Sequence, residues 1–377
     1  DNYNVAVGFA AGNAVTTGAQ NVLIGGVAGT SLTDADYNVA IGTAALDADT
    51  LGSRSVAIGH ITLTAQNFTS ATDTYNTAVG YGAGSAVTTG IQNTLIGGTA
   101  GDALTDSDYN VAVGFGALTS DTLGARNVAI GQEALASQNF TSATNSYNTA
   151  VGMNAGRLIT TGVQNTFVGG LAGDANTTAS NNTALGYLAL SANTTGAVNT
   201  AIGVASLDAN TTGASNVAVG GGSLGANTTA SNNTAVGKDA LLLNTTGHSN
   251  TAIGTVALDA NTTANHGTAI GYQALTSNTT GAQNTALGDR SSATNTTGAE
   301  NTAVGSTSLF GNTTGANNTA VGTGSLEGNT TASNNTAVGY HSLIANTTGT
   351  QNAALGAYAL DANTTADGNT AVGYFGL

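Results

Sequence analysis

Few side chains in this 377-residue sequence could support acid–base, metal or nucleophilic chemistry. It contains four histidines and no cysteine, so there is no thiolate nucleophile and no thiolate metal ligand. Only His248 and His266 fall at neighbouring positions of successive repeats. That spacing would suit a bridging metal, and it suits two solvated surface imidazoles equally. Catalysis needs a nucleophile or an acid–base pair in a concave site, and no such set is evident. We predict that the chain is not an enzyme.

Two acidic stretches resemble the beginning of a calcium-binding loop. Asp34 and Asp36 lie in DADYN, and Asp106 and Asp108 lie in DSDYN. Both stretches lack the glycine and the distant glutamate that an EF-hand requires. An Asp-rich corner with Asx turns explains the same residues. Calcium is therefore kept as an alternative at these corners, and no other metal or cofactor is expected.

Twelve Asn-Thr-Thr triplets, from Asn176 to Asn363, match the acceptor pattern for N-glycosylation. One repeated unit generates all twelve matches, so they are not independent signals. The other interpretation is structural, with each asparagine bonded to its equivalents in the repeats before and after it. We favour the structural interpretation, because stacked inward-facing amides leave no room for a glycan.

Composition excludes several classes of protein. The formal charge is −15, from 20 acidic and 5 basic residues, so the clustered Lys and Arg of a nucleic-acid or anionic-membrane surface are missing. No apolar run reaches membrane-spanning length and no signal peptide is evident. The sequence begins and ends within its repeat, so we expect a segment of a longer protein.

A 17-residue period runs through the whole sequence. The glycine that follows "AV" or "AI" marks 22 coils between Gly8 and Gly373, and two of the 21 intervals are 21 residues long instead of 17. Residues 1–175 carry a 72-residue super-repeat (17 + 17 + 17 + 21), and 176–377 carry uniform 17-residue repeats. We interpret 1–377 as one continuous repeat domain, and the extra segment QNFTSAT as a loop bulging from a corner.

The repeat predicts an all-β fold. Counting Asn199 as position one, position four is always Val, Ile or Leu, position five is always Gly, and position nine is Leu in fifteen coils. This spacing does not make a helical stripe, whereas Thr-Ala-Val alternation suits a short strand and an invariant Gly suits a corner. We predict a parallel β-solenoid or β-roll of 22 coils, about 105 Å long at ~4.8 Å per layer.

Strand alternation then assigns the faces. If position four points into the coil, position three points out, and it is Ala in every coil except those of Leu23, Leu95 and Phe167. An outward stripe of small residues suits close contact with another chain, although a strand buried on both sides explains it too. The structural and interface candidates are Ala252, Ala269, Ala286, Leu23, Leu95, Phe167, the corner glycines Gly254 and Gly271, and the ladder residues Asn261 and Asn278.

The motifs NVAIG, SVAIG (Ser55–Gly59) and NTAVG, each followed by small residues, resemble the head repeats of trimeric autotransporter adhesins. The longer phrase NTAVGYxALxxNTTGxxN is similar to repeats of bacteriophage tail-fibre-like and large bacterial surface proteins. The resemblance covers nearly the whole chain. It implies parallel β-rolls with three chains side by side.

These observations predict a structural and interaction protein: the shaft or head of an extracellular fibre, on a cell or virion surface. We expect self-association as a homotrimer or an end-to-end filament, a host-surface or glycan receptor as a further partner, and no nucleic acid or membrane insertion. Exposed aromatic residues at position six could bind sugars or pack at a chain seam. An ice-binding solenoid is the main alternative, although the adjacent threonines at positions thirteen and fourteen place only one hydroxyl outward.

Overall fold

The computed structural model describes residues 2–377, and the regular structure within them is entirely β, as the repeat predicts. The strands are β1 (Val5–Val7), β2 (Val22–Ile24), β3 (Val39–Ile41), β4 (Gly52–Ser53), β5 (Val56–Ile58), β6 (Thr72–Asp73), β7 (Thr77–Val79), β8 (Thr94–Ile96), β9 (Val111–Val113), β10 (Gly124–Ala125), β11 (Val128–Ile130), β12 (Thr144–Asn145), β13 (Thr149–Val151), β14 (Thr166–Val168), β15 (Thr183–Leu185), β16 (Thr200–Ile202), β17 (Val217–Val219), β18 (Thr234–Val236), β19 (Thr251–Ile253), β20 (Thr268–Ile270), β21 (Thr285–Leu287), β22 (Thr302–Val304), β23 (Thr319–Val321), β24 (Thr336–Val338), β25 (Ala353–Leu355) and β26 (Thr370–Val372).

The chain divides into two compact units. The first contains residues up to 188 together with 192–195, and the second contains 189–191 and 196–377. Each unit is a parallel β-solenoid whose three-residue strands occupy positions two to four of successive coils. Neighbouring strands pair in parallel and in register, as Thr251, Ala252 and Ile253 do with Thr268, Ala269 and Ile270. The predicted fold class is therefore confirmed.

The glycine at position five turns each coil, as predicted. Gly254 and Gly271 have φ values of 139° and 138°, a region that disfavours residues with a Cβ. A Cβ on either glycine would also lie 2.3 Å from the carbonyl oxygen of the same glycine one coil later. Backbone conformation and close stacking together explain why no other residue occupies this position.

The prediction that position four points into the coil and position three points out is wrong. Ala252, Ala269 and Ala286 are fully buried inside the coil, whereas Ile253 is 39% exposed and points outward. In most coils Leu at position nine fills the interior beneath the strand, so position three is alanine there and the larger residue at position four faces away from the interior. The alanine column therefore forms the core of each coil and cannot be the seam between chains.

The interior is completed by Leu at position nine and by Ala or Ser at position eight, as in Leu224 and Ser223. Position nine adopts the left-handed conformation even when it is leucine, with φ of 51° at Leu224. This backbone turns the side chain inward between strand and turn. The sequence predicted that Leu275 fills the coil, and it is 1% exposed.

Leu23, Leu95 and Phe167 occupy space that position nine leaves empty. They too are buried, at 0–1% exposure, so the prediction that they face outward is also wrong. A Cβ placed on Gly173 would lie 2.6 Å from Phe167 Cζ, and one on Gly156 would lie 2.9 Å from Phe167 Cδ2. Each large residue thus replaces two leucines, those missing at position nine of its own coil and of the coil before it. Leu23 stands over Gly12 and Gly29, and Leu95 stands over Gly84 and Gly101.

The two 21-residue coils carry more than a surface loop. In the first, Gln66 and Phe68 are buried, and β6 pairs with β4 of the preceding coil. Residues 69–71 form the continuous exposed tip of this coil, and the second long coil repeats this arrangement with an exposed tip at 141–143. The prediction of a bulging loop is correct for the tips, while the flanking residues extend the core.

Candidate functional surface

The asparagines at position one form a buried hydrogen-bonded column inside each unit. The side-chain oxygen of Asn233 accepts the main-chain N–H of Asn250 at 2.9 Å, and Asn250 Oδ1 accepts that of Gly267 at 2.8 Å. Asn250 Nδ2 donates to the carbonyl of Ala264, fourteen residues later in the same coil, at 2.9 Å. Each amide therefore joins two coils and also closes its own, which supplies partners for buried polar groups.

The position-twelve asparagines form a second column, as predicted for Asn261 and Asn278. Asn261 Nδ2 donates to Asn244 Oδ1 at 2.8 Å and to the carbonyl of Ala264 at 3.2 Å. Asn278 repeats both bonds, to Asn261 Oδ1 at 3.3 Å and to Gly281 O at 3.0 Å. Both amide hydrogens are used and both residues are buried. This geometry favours the structural interpretation of the Asn-Thr-Thr triplets, because a glycan would require an accessible Nδ2.

The acidic corners bond to the preceding coil. Asp34 Oδ1 accepts the hydroxyl of Thr17 at 2.6 Å, and Asp36 Oδ1 accepts the main-chain N–H of Ala19 at 2.7 Å. The second copy makes the same bonds, from Thr89 to Asp106 and from the N–H of Ile91 to Asp108, both at 2.8 Å. Along residues 2–377 no three His, Cys, Asp or Glu side chains gather in a group that could hold a metal ion.

A buried carboxylate occupies position twelve, where the uniform repeats have asparagine, in the coil before each long coil. Asp49 accepts hydrogen bonds from Gln66 Nε2 at 2.7 Å, from Gly52 N at 3.1 Å and from Phe68 N at 3.2 Å. Burial raises the pKa of Asp49 above its ordinary value of 3.8, and these hydrogen bonds only partly oppose the rise. Asp121, with Gln138 and Phe140, repeats the arrangement. These carboxylates hold the 21-residue coils in place.

Several histidine, arginine and tyrosine side chains on the surface contact one another in neighbouring coils. The rings of His248 and His266 lie 5.2 Å apart, edge to face. Arg54 lies 4.7 Å from the ring of Tyr37 and 5.9 Å from that of Tyr75, a double cation–π contact that Arg126 repeats 72 residues later. No pocket opens along the described residues 2–377, and no helix there is long and apolar enough to cross a membrane.

The feature that the sequence interpretation missed is the outer face of the strands. Side chains at positions two and four point outward and are half-buried or exposed, while position three between them is buried. Position four is always Val, Ile or Leu, and position two is Thr or Val in every coil except that of Ala353. The aromatic residues at position six, such as Tyr81 and Tyr272, lie exposed beyond the corner glycine. The available signal lay at position three, which is larger than alanine only where position nine is glycine in the same coil and in the coil before it.

Comparison of the chain with known protein families finds no match, and comparison with curated proteins also finds none.

Proposed function

We propose that the chain is a structural segment of an extracellular fibre, which serves a cell or virion surface mechanically and adhesively. The observation that carries this proposal is the pair of asparagine columns, in which buried amides bond coil to coil. In a repeat array stability comes from such contacts between neighbours, so many identical contacts make a long structure resistant to local opening. A charge of −15 keeps such a surface soluble.

In this proposal, adhesion is mediated by exposed side chains on the outside of the coils. Position six carries aromatic residues at irregular intervals, and Tyr187 and Tyr340 are about half exposed there. Aromatic faces of this kind suit sugars or apolar partner surfaces. Self-association as a trimer or filament remains part of the proposal, but the alanine column no longer supports it, since Ala252 and its equivalents are internal.

Proteolysis of the native chain tests the mechanical role. We expect a broad-specificity protease to cut only at the exposed tips 69–71 and 141–143, because the other backbone segments lie in stacked coils. The matched control is the same chain after heat denaturation, which should be degraded throughout. Rapid cleavage within the uniform coils of 196–377 would contradict a mechanical role.

Ice binding is the second candidate, and one observation favours it. The outward pair at positions two and four is Thr-x-Ile or Thr-x-Val in most coils of the second unit, for example Thr251 and Ile253 or Thr302 and Val304. A repeated row of hydroxyl and methyl groups without charge could order water. Thermal hysteresis in a freezing assay would support this function, and ordinary freezing at millimolar protein would rule it out.

A further inference from the structure

A row of tyrosines occupies the last position of alternate coils in the first unit, directly before position one. The row consists of Tyr3, Tyr37, Tyr75, Tyr109 and Tyr147. Its rings are 41–75% exposed. Main-chain bonds hold this column in register, for example from Tyr37 N to Ala19 O and from Arg54 N to Asp36 O, both at 3.0 Å. Successive tyrosines of the row are therefore two coils, or about 10 Å, apart.

The backbone of this column does not favour tyrosine. Tyr37 and Tyr109 have φ of 60° and 61°, in the left-handed region, where a bulky side chain costs free energy and Asn or Gly is better suited. In the second unit the same column contains Asn232, Asn317 and Gly368, and it contains no tyrosine. Local conformation therefore does not explain why a tyrosine recurs at every second coil of the row.

Arginine fills two of the four spaces between the rings. Arg54 Cζ lies 4.7 Å from the ring centroid of Tyr37 and 5.9 Å from that of Tyr75, and Arg54 Nε pairs with Asp73 at 2.9 Å. Arg126 Cζ lies 4.6 Å and 6.0 Å from the rings on its two sides. Two tyrosines separated by two coils thus hold one guanidinium through cation–π contacts with both rings.

Glutamine, which has no charge, lies in the other two spaces. Gln20 lies between Tyr3 and Tyr37, and Gln92 lies between Tyr75 and Tyr109. Both glutamines are exposed, so their flexible side chains can turn outward into water. We call these two tyrosine pairs the open pairs, because their rings have the same separation in coils as the filled pairs but no guanidinium between them.

Carboxylates lie beside both open pairs. Asp36 and Asp108 directly precede Tyr37 and Tyr109, and a second aspartate lies two residues earlier in each copy. All four carboxylates bond to the preceding coil through Oδ1. Their negative charge favours a cation at the open pair, as a carboxylate does beside Arg54.

We infer that each open pair binds an arginine side chain of a cationic partner protein or peptide, with the guanidinium between the two rings. This inference rests on the proposed function, because it names a partner for the adhesive surface of the fibre. The filled pairs supply the geometry, and the net charge of −15 attracts a cationic partner. Guanidinium suits the site better than ammonium, because it is planar, weakly hydrated and stacks on aromatic faces.

The distance between the open pairs sets the spacing of the arginines. Gln20 and Gln92 are four coils apart, which is about 19 Å at ~4.8 Å per layer. An extended peptide covers this distance in about six residues at ~3.3 Å per residue. A partner with two arginines six residues apart therefore engages both open pairs at once, and the second contact forms at high effective concentration.

Fluorescence anisotropy of a labelled peptide, titrated with the full chain, tests this inference. The peptide is a Gly-Ser sequence with two arginines six residues apart. One control peptide has lysines at the same positions, and the other has two arginines three residues apart. We expect the first peptide to bind at least about fivefold more tightly than either control. Equal affinity for the arginine and lysine peptides would show only nonspecific attraction to an acidic chain and would overturn the inference.

The variant Gln20→Arg/Gln92→Arg fills both open pairs from within the chain. The same column already contains arginine at two places, so we expect this variant to fold, and circular dichroism checks it. The matched control Gln164→Arg/Gln351→Arg adds two charges to the same column at places that no tyrosine pair flanks. The first variant should bind the peptide at least about tenfold more weakly than the control. Equal affinities of the two variants would overturn the inference.

A second pair of variants applies if the arginine variant does not fold. Tyr3→Leu removes one ring of an open pair and leaves both filled pairs intact, whereas Tyr3→Phe keeps a ring at that place. We expect Tyr3→Leu to remove the advantage of the six-residue spacing over the three-residue spacing, and Tyr3→Phe to retain it. An advantage that persists in Tyr3→Leu contradicts binding at the open pairs.

The outcomes separate this inference from the function on which it rests. A chain that resists protease in its coils but binds no arginine peptide keeps the mechanical role and removes the binding at the open pairs. A chain that binds the peptide as expected but is cut throughout its coils keeps the open pairs and removes the mechanical role.

Discussion

Replacement of Phe167 by alanine should destabilise the first unit, and a second substitution should repair it. Phe167 is fully buried, and its ring fills the space over two glycines, Gly156 and Gly173. Removing a buried phenylalanine side chain costs about 3–5 kcal/mol through lost burial and the cavity that remains. In the second unit, the equivalent pair is alanine at position three with leucine at position nine, as in Ala218 and Leu224. The double variant Phe167→Ala/Gly173→Leu recreates that pair.

The single variant Gly173→Leu is expected to be destabilised as well. Its Cβ would lie 2.6–2.7 Å from three atoms of the Phe167 ring, so ring and backbone must shift, at about 1–3 kcal/mol or more. The backbone itself suits leucine, since Gly173 has φ of 57° and Leu224 has φ of 51°. The double variant should therefore recover at least ~2 kcal/mol of the loss caused by Phe167→Ala. Adding Gly156→Leu to the double variant should fill the space that the Phe167 ring leaves over Gly156.

Guanidinium denaturation followed by circular dichroism gives the midpoints, and native-state hydrogen exchange in the coils of β13 and β14 localises the effect. Exchange is needed because long repeat arrays can depart from two-state unfolding. A double variant no more stable than Phe167→Ala would refute the volume exchange between positions three and nine. So would a Gly173→Leu variant that unfolds like the wild type.

Three further predictions concern single positions. Gly267→Asn should stabilise the second unit by about 1 kcal/mol, because it restores the position-one column. Gly271→Asn should prevent coil closure, since its Cβ would meet the carbonyl oxygen of Gly288 at 2.3 Å. Equal denaturation midpoints for the two variants would contradict this expectation. The raised pKa of Asp49 means that the folded state binds its proton more tightly than the unfolded state, so this contribution is fully present below the ordinary value of 3.8 and is lost as the pH rises through the raised pKa. Denaturation from about pH 3 to 7 should show the stability of the wild type falling relative to Asp49→Asn as the pH rises, and a constant difference would contradict it. Calcium should leave the melting temperature unchanged relative to EDTA, because the corner carboxylates Asp34 and Asp36 already bond to the preceding coil, and a clear rise would show a calcium site.

The sequence predicts the fold through features that depend on period alone. The corner at Gly271 and the column at Asn278 follow from residues that recur at fixed intervals, and the structure confirms both. Strand pairing also follows, since equivalent positions in equal repeats must stack in register. None of these inferences requires knowledge of the direction in which a side chain points.

Which face of the strand points into the coil could not be derived from its own three residues. Thr-Ala-Val alternates equally well with either face inward, and general hydrophobicity favours valine inside. The interior decides the matter, because Leu at position nine already fills the space opposite the strand. One signal in the sequence does contain this information: Leu23, Leu95 and Phe167 occur only where position nine is glycine in the same coil and the one before. Such an exchange of volume requires that both positions face the same core.

The buried carboxylates were missed for a different reason. Asp49 and Gln66 lie at position twelve, where neighbouring coils of the super-repeat have Val, Leu or Ile. An acidic residue in a corner segment suggests a solvated surface, and only the fold of the 21-residue coil places Phe68 over it. An insertion that supplies its own hydrogen-bond donors cannot be recognised from spacing alone.

Immunoelectron microscopy of the native source tests the central claim most directly. With antibodies raised against the folded chain, we predict labelling along fibres that project from a cell or virion surface, because the proposed function requires the chain to be exposed there. Antibody binding to the purified chain is the control for epitope access. Labelling confined to the interior of cells, with external fibres unlabelled, would contradict the account.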